Sequence, residues 1–179
     1  MLEVKIFTLY PDLFPGPLDI GIFKKAKENK IWNLKVINIR DYSKDNHGTV
    51  DDTPFGGGSG MLLRPDILAS ALDNNIKKGE KIIYLSPRGK KFDQNVARSL
   101  SKEKNLNLIC GHFEGVDQRL IETRNIEEYS LGDFVLSGGE PASFVFVDAL
   151  VRLLPGVLGN KDSVKEESFE NHLLEYPQY

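Results

Sequence analysis

The decapeptide "LICGHFEGVD", residues 108–117, begins as an apolar β-strand and then breaks into a glycine, three other residues, a second glycine and an acid. Glycine allows positive φ and a close approach of backbone to a ligand. Two further stretches share this character, "YLSPRG" at 84–89 and "LSGGE" at 136–140. Each reads as a strand end that offers main-chain N–H and C=O groups to a bound molecule. A single exit of this kind is explained equally well by a simple turn from strand to helix. Three of them predict one shared pocket.

The segments around these exits set their context. "LEVKIFTL" (2–9) and "NLKVINI" (33–39) have strand character, and a helical stretch is expected from near Asp12 to about Asn29. Residues 40–60, "RDYSKDNHGTVDDTPFGGGSG", form a long polar, glycine-rich loop, and a loop of that length in a compact domain usually carries function. "RPDILASALDNNIKKG" (64–79) is helical, with Pro65 near its start and Gly79 just past its end. Then follow strand "EKIIYLS" (80–86), turn "PRG" (87–89), helix "KKFDQNVARSLSKEK" (90–104), strand "LNLIC" (106–110) and helix "VDQRLIETRN" (116–125). A short strand "EEYSL" (127–131) and "GDFVLSGGE" (132–140) lead into a helix ending at about Leu154. Strands alternating with helices predict an α/β domain with a mostly parallel sheet flanked by helices, and ligands in such sheets sit beyond the carboxyl ends of the strands. From residue 160 the chain turns charged and poor in aliphatics, so residues 1–159 read as the domain and 160–179 as a linker or docking arm.

Composition narrows the function classes. With 179 residues, 40% hydrophobic and 27% charged, the chain reads as one soluble globular domain. No apolar run approaches the roughly 20 residues that span a bilayer, and the amino terminus lacks a basic signal-peptide region, so a cytoplasmic protein without a membrane partner is expected. The net charge of −3 leaves any RNA binding to local patches such as "FKKAKENK" (23–30) and "SPRGKKFD" (86–93). The single cysteine, Cys110, ends an apolar strand and reads as a small buried hydrophobe rather than a nucleophile. His47, His112 and His172 have no metal-ligand spacing, which argues against a zinc site. Neither G-x-G-x-x-G nor a P-loop is present, and "GGGSGM" (56–61) lacks the last glycine of a nucleophile elbow.

Six stretches in order, "VDDTPFGGGSGML" (50–62), "YLSPRGKKFDQ" (84–94), "LICGHFEGVDQR" (108–119), "EYSLGDFVLSGGE" (128–140), "LLPGVLGN" (153–160) and "ESFENHLLEYPQY" (167–179), resemble the motifs of bacterial tRNA (guanine-N1)-methyltransferases of the SPOUT superfamily. The resemblance covers essentially the whole chain. It implies a C-terminal trefoil knot, a rare departure from unthreaded chains, whose loops hold S-adenosylmethionine in a bent shape. Tyr84, Leu85, Ser86 and Pro87 would contribute from the first exit, and Gly111, Glu114 and Gly115 from the second. Ser130, Leu131, Gly132, Leu136, Gly138 and Gly139 would line the third side. The resemblance further implies a homodimer with its active site at the subunit interface, and Mg²⁺ as a possible second cofactor. The substrate would be a tRNA with guanosine at position 37, just 3′ of the anticodon.

Guanine N1 carries a proton at neutral pH, so its methylation needs a base for that proton and a cation for the charge developing on O6. By resemblance Glu167 is the base and Arg152 the partner of O6, while Asp51 and His47, with Gly58 and Ser59 of the same loop, hold the RNA or its base. The family usually has aspartate at the position of Glu167, and "GGEPAS" carries its proline one place earlier than the family's "GGELPA". The family continues past "YPQY" into a helical domain that contacts tRNA and is missing from these 179 residues. The expectation is a chain that folds and binds S-adenosylmethionine but methylates tRNA weakly or not at all. The rival readings are a knotted RNA-binding module without catalysis and a nucleotide-dependent oxidoreductase, the latter disfavoured by the missing dinucleotide loop.

Overall fold

The computed structural model describes residues 1–158, so the arm expected from residue 160 and Glu167 within it lie outside the described residues. In chain order the elements are β1 (Leu2–Thr8), α1 (Gly21–Glu28), β2 (Trp32–Asn38), β3 (Asp51–Asp52), β4 (Leu62–Leu63), α2 (Pro65–Asn75) and β5 (Lys81–Lys91). They continue with α3 (Gln94–Leu100), β6 (Asn105–Ile109), α4 (Gln118–Thr123), β7 (Glu127–Ser130) and α5 (Gly139–Val151). Five strands form one sheet in the order β2-β1-β6-β5-β7, and every pairing in it is parallel.

The apolar runs of the strands follow from burial on both faces. Successive side chains point to opposite sides, so Ile6, Ile83, Leu106 and Leu108 pack with Ala97 of α3 and with Phe146, Val147 and Leu150 of α5. Phe7, Ile82 and Ile109 pack on the other side with Ile67, Leu68 and Leu72 of α2 and with Leu120 and Ile121 of α4. The expected α/β class, with a mostly parallel sheet between helices, is what this arrangement shows. Cys110 is fully buried, as its place at the end of an apolar strand predicts.

Four local expectations need correction. The stretch from Asp12 to Asn29 is not one helix. It holds two 3₁₀ turns, Pro11–Leu13 and Gly16–Asp19, before α1. Prolines 11, 15 and 17 cannot donate to a helical ladder, and Gly16 and Gly21 take positive φ of 50° and 59°. The helix expected over 90–104 is shorter, because Lys90 and Lys91 rejoin the sheet opposite Tyr129 and Ser130. It starts only after Asp93, whose side chain accepts from the Val96 N–H as an N-cap. "LSGGE" is not a strand exit but the end of an irregular connection from β7 to α5. Finally, the long loop is punctuated by a 3₁₀ turn (Ile39–Tyr42) and by β3, which pairs antiparallel with β4.

One buried charge pair ties the sheet to α2. The Lys5 ammonium, on the face of β1 opposite Val4 and Ile6, donates to the Asn75 carbonyl at 2.8 Å and pairs with Glu80 at 3.0 Å. Asn107 donates to the same Glu80 oxygen at 3.2 Å. Burial alone would raise the Glu80 carboxyl, but the hydrogen bonds from Lys5 and Asn107 outweigh it and hold the group below its usual 4.5. A depressed carboxyl stabilises the fold above its unfolded pKa, and that contribution is lost as pH falls through the folded value. Lys5→Met strands a buried carboxylate and should cost about 3 kcal/mol in urea unfolding at pH 7. In the same variant the acid-induced loss of stability below pH 4.5 should flatten.

Candidate active site

The parallel order places the carboxyl ends of β6, β5 and β7 side by side, so the segments leaving them face one another. They enclose a cleft of about 550 Å³, within the size range of small-ligand sites. Every residue assigned by resemblance to the methyl donor, from Tyr84–Pro87 through Gly111, Glu114 and Gly115 to Ser130–Gly132, Leu136, Gly138 and Gly139, lines it.

Each wall has its own local cause. Leu85 and Lys90 both pair with Tyr129, so residues 86–89 leave the sheet as a four-residue excursion. The Ser86 hydroxyl accepts from the Arg88 N–H at 3.3 Å within it. Gly89 closes the excursion where the backbone of Glu128 and Tyr129 leaves no room for a Cβ. The second wall turns tightly, with the Gly115 N–H donating to the His112 carbonyl at 3.0 Å. Phe113 in that turn takes φ of 58°, a conformation costly for a non-glycine residue and concentrated at functional sites. A Cβ on Gly111 would stand 2.6 Å from the Tyr84 ring, so this glycine is what lets the tyrosine lie against the wall. The third wall closes on the second, with the Gly139 N–H donating to the Gly111 carbonyl at 2.9 Å.

Burial raises the Tyr84 hydroxyl pKa, with a smaller push from Glu128. Burial and a hydrogen bond to Glu127 push Tyr129 up to about 12. The Cys110 thiol is driven well upward by burial and by Glu140 beside it, so no thiolate is available here.

Other expected site residues fall elsewhere. Asp51 sits on β3 opposite Leu63. Gly58 and Ser59 are exposed in the loop between β3 and β4, and His47 is exposed before it, its N–H bonded to Asp45. None of the four lines the cleft, but their loop ends against it: the Glu114 N–H donates to the Met61 carbonyl at 2.8 Å, and Leu62 is part of the lining. Arg152 caps the carboxyl end of α5, with Asp148 as its electrostatic neighbour. A helix rises 1.5 Å per residue, so Arg152 stands about 20 Å along α5 from Gly139 and away from this chain's own cleft. Among residues that sequence reasoning missed, Arg88, Phe113, Phe134 and Val135 also line the cleft. Their signal was present in "SPRG", "GHFEG" and "GDFVL", large or charged side chains inside glycine-bearing connections, but glycine drew the reading.

A doubly wound parallel sheet, with a glycine-bearing cleft beyond its strand ends and no dinucleotide loop, defines an α/β ligand-binding domain outside the Rossmann and P-loop classes. The chain belongs to the tRNA (guanine-1)-methyltransferase TrmD family, which matches it over residues 2–179. It is 68% identical over 179 residues to the tRNA (guanine-N(1)-)-methyltransferase of Pelagibacter ubique, covering 100% of this chain and 78% of that protein. Enzymes of the same name from Wolbachia pipientis of Culex pipiens and from Bartonella tribocorum are 51% and 52% identical, each over 99% of this chain and over 78% and 76% of their own lengths.

A Cβ at position 139 would meet Cys110 Cα at 2.6 Å and the Gly111 nitrogen at 2.8 Å, both rigid backbone, whereas position 56 has nothing within 4 Å. Gly139→Ala should therefore cost about 2 kcal/mol, while Gly56→Ala stays within about 0.5 kcal/mol of the wild type, both read from urea unfolding midpoints.

Proposed function

We propose that this protein transfers a methyl group from S-adenosylmethionine to N1 of the guanine at position 37 of tRNA, as a homodimer acting in the cytoplasm. The observation that carries the reading is the convergence of the three glycine-bearing segments on one cleft of the right size, in a chain whose relatives are named for this reaction. The cleft suits the donor: its lining sets apolar Leu85, Leu131 and Leu136 beside polar Ser86, Glu114 and Ser130, a mixture that meets an amphiphilic nucleoside. Tyr84, Leu85 and Leu136 would cover its adenine, with Glu114 at the rim. The strand excursion at 86–89 and the irregular connection at 131–138 are the segments from which a trefoil knot would be tied.

S-adenosylmethionine supplies a methyl group already activated on a sulfonium. The protein's own residues then have two tasks, to take the N1 proton and to steady O6. Glu167 is the proposed base and Arg152 the proposed partner of O6. Asp51, His47, Gly58 and Ser59 would hold the RNA beside the cleft. Arg152 lies at the far end of α5 from the cleft in which that helix begins, which supports a site completed by the second subunit's Arg152. Exposed apolar side chains support the pairing: Leu13 and Ile20 lie in and beside the turns that pack on α5 through Phe14 and Phe144, and Val145 of α5 is 58% exposed. Among the described residues no group of three or more His, Cys, Asp or Glu side chains is placed to hold a metal. A bare RNA-binding module would have no use for the donor cleft.

Titration calorimetry should show saturable binding of S-adenosylmethionine to the wild type and weaker binding to Glu114→Ala; absence of any saturable heat with the wild type overturns the reading. Mixing Arg152→Ala with Glu114→Ala subunits, at a donor concentration too low to load the Glu114→Ala cleft, should restore about a quarter of the wild-type methylation of tRNA transcript, since half of the random dimers carry one intact composite site. No recovery on mixing would place Arg152 in its own subunit's site or outside the chemistry.

A further inference from the structure

A buried polar relay lies under the cleft and takes no part in the reaction described above. Thr8 ends β1 with no exposure, and Glu140 in the first turn of α5 is 2% exposed. One carboxylate oxygen of Glu140 accepts from the Thr8 hydroxyl at 2.5 Å, and the other stands 2.7 Å from Nε2 of His112. The Thr8 oxygen in turn accepts from the Tyr10 N–H at 2.9 Å, and the Tyr10 ring meets the imidazole edge-on, centroids 4.9 Å apart. Thus three segments distant in sequence, the end of β1, the second wall and the amino end of α5, are joined through one carboxylate.

Burying a carboxylate is costly even when it is well partnered, and an apolar trio of the same volume would fill this space without that cost. The relay does something an apolar trio would not: its hydrogen bonds fix direction and distance. His112 lines the cleft, and Gly138 packs so tightly on it that a Cβ there would collide with the imidazole Cε1 and stand 2.9 Å from the Glu140 carboxylate. The His112 ring is therefore the spacer between the wall at 111–115 and the wall at 136–139, and Glu140 holds that spacer in place.

We propose that His112 and Glu140 are positioning residues for the methyl donor, setting the gap between the second and third walls of the cleft. The proposal rests on the reading of that cleft as the S-adenosylmethionine site. A side chain that merely fills space would affect the folded fraction, whereas a spacer affects the affinity of the protein that remains folded.

The test measures S-adenosylmethionine affinity by calorimetry, alongside thermal midpoints, for the wild type, His112→Ala, His112→Gln and Thr8→Val. His112→Ala should weaken binding about tenfold or more at a temperature where it is fully folded. His112→Gln, whose amide can still donate to Glu140, should return to within about threefold of the wild type. Thr8→Val removes one hydrogen bond at constant shape and keeps the test open if the alanine variant fails to fold; it should weaken binding as well. Wild-type binding together with unchanged affinity in both His112→Ala and Thr8→Val, or failure of glutamine to rescue, overturns the positioning role alone. Absence of binding by the wild type overturns the cofactor reading and this role with it.

Discussion

The hydrogen bond from Gly139 N–H to the Gly111 carbonyl is the contact on which the cleft depends. It joins the segment leaving β6 to the start of α5, and the two backbones can meet because Gly139 carries no Cβ to strike Cys110 and the Gly111 nitrogen. An alanine at 139 would press on rigid backbone of the facing wall, and one at 111 on the Tyr84 ring. Three segments otherwise free to take separate courses above the sheet are held to one enclosure by this approach, by the relay under Glu140 and by the return of Lys90 and Lys91 to β7.

The parallel sheet supplies the rigid base for that arrangement. Its strands are buried on both faces, with separate apolar clusters on the α3/α5 and α2/α4 sides, so the strand ends are fixed in level before any loop is considered. Rigid elements carry precise sites better than free loops do. The strain tolerated at Phe113, a phenylalanine in left-handed conformation at the cleft wall, is sustained by the hydrogen bonds on either side of it.

The residues proposed for chemistry and those proposed for the donor are segregated. The residues proposed for the donor line one cleft of a single chain, whereas Arg152 sits at the opposite end of the helix that begins in that cleft. In the proposed dimer such a division would suit a large RNA substrate, with the donor held by one subunit and the reacting base met by groups from the other.

Much of this was legible in the residues alone. Alternating strand and helix patterns determined the α/β class, the apolar run before "CGHFEG" determined a buried strand and an inert cysteine, and the glycine clusters identified the cleft walls. What they left undecided depended on contacts distant in sequence. "KKFDQ" has helical character, but Lys90 and Lys91 pair with β7 because a neighbouring strand supplies partners that no local pattern reveals. Glu140 reads as an ordinary acid in a helix's first turn until the fold brings Thr8 and His112 to its two oxygens. Local chemistry names which backbone can bend and which side chains are apolar; only the packed chain decides which of them meet, since the energy of a meeting belongs to both partners and to the water they exclude.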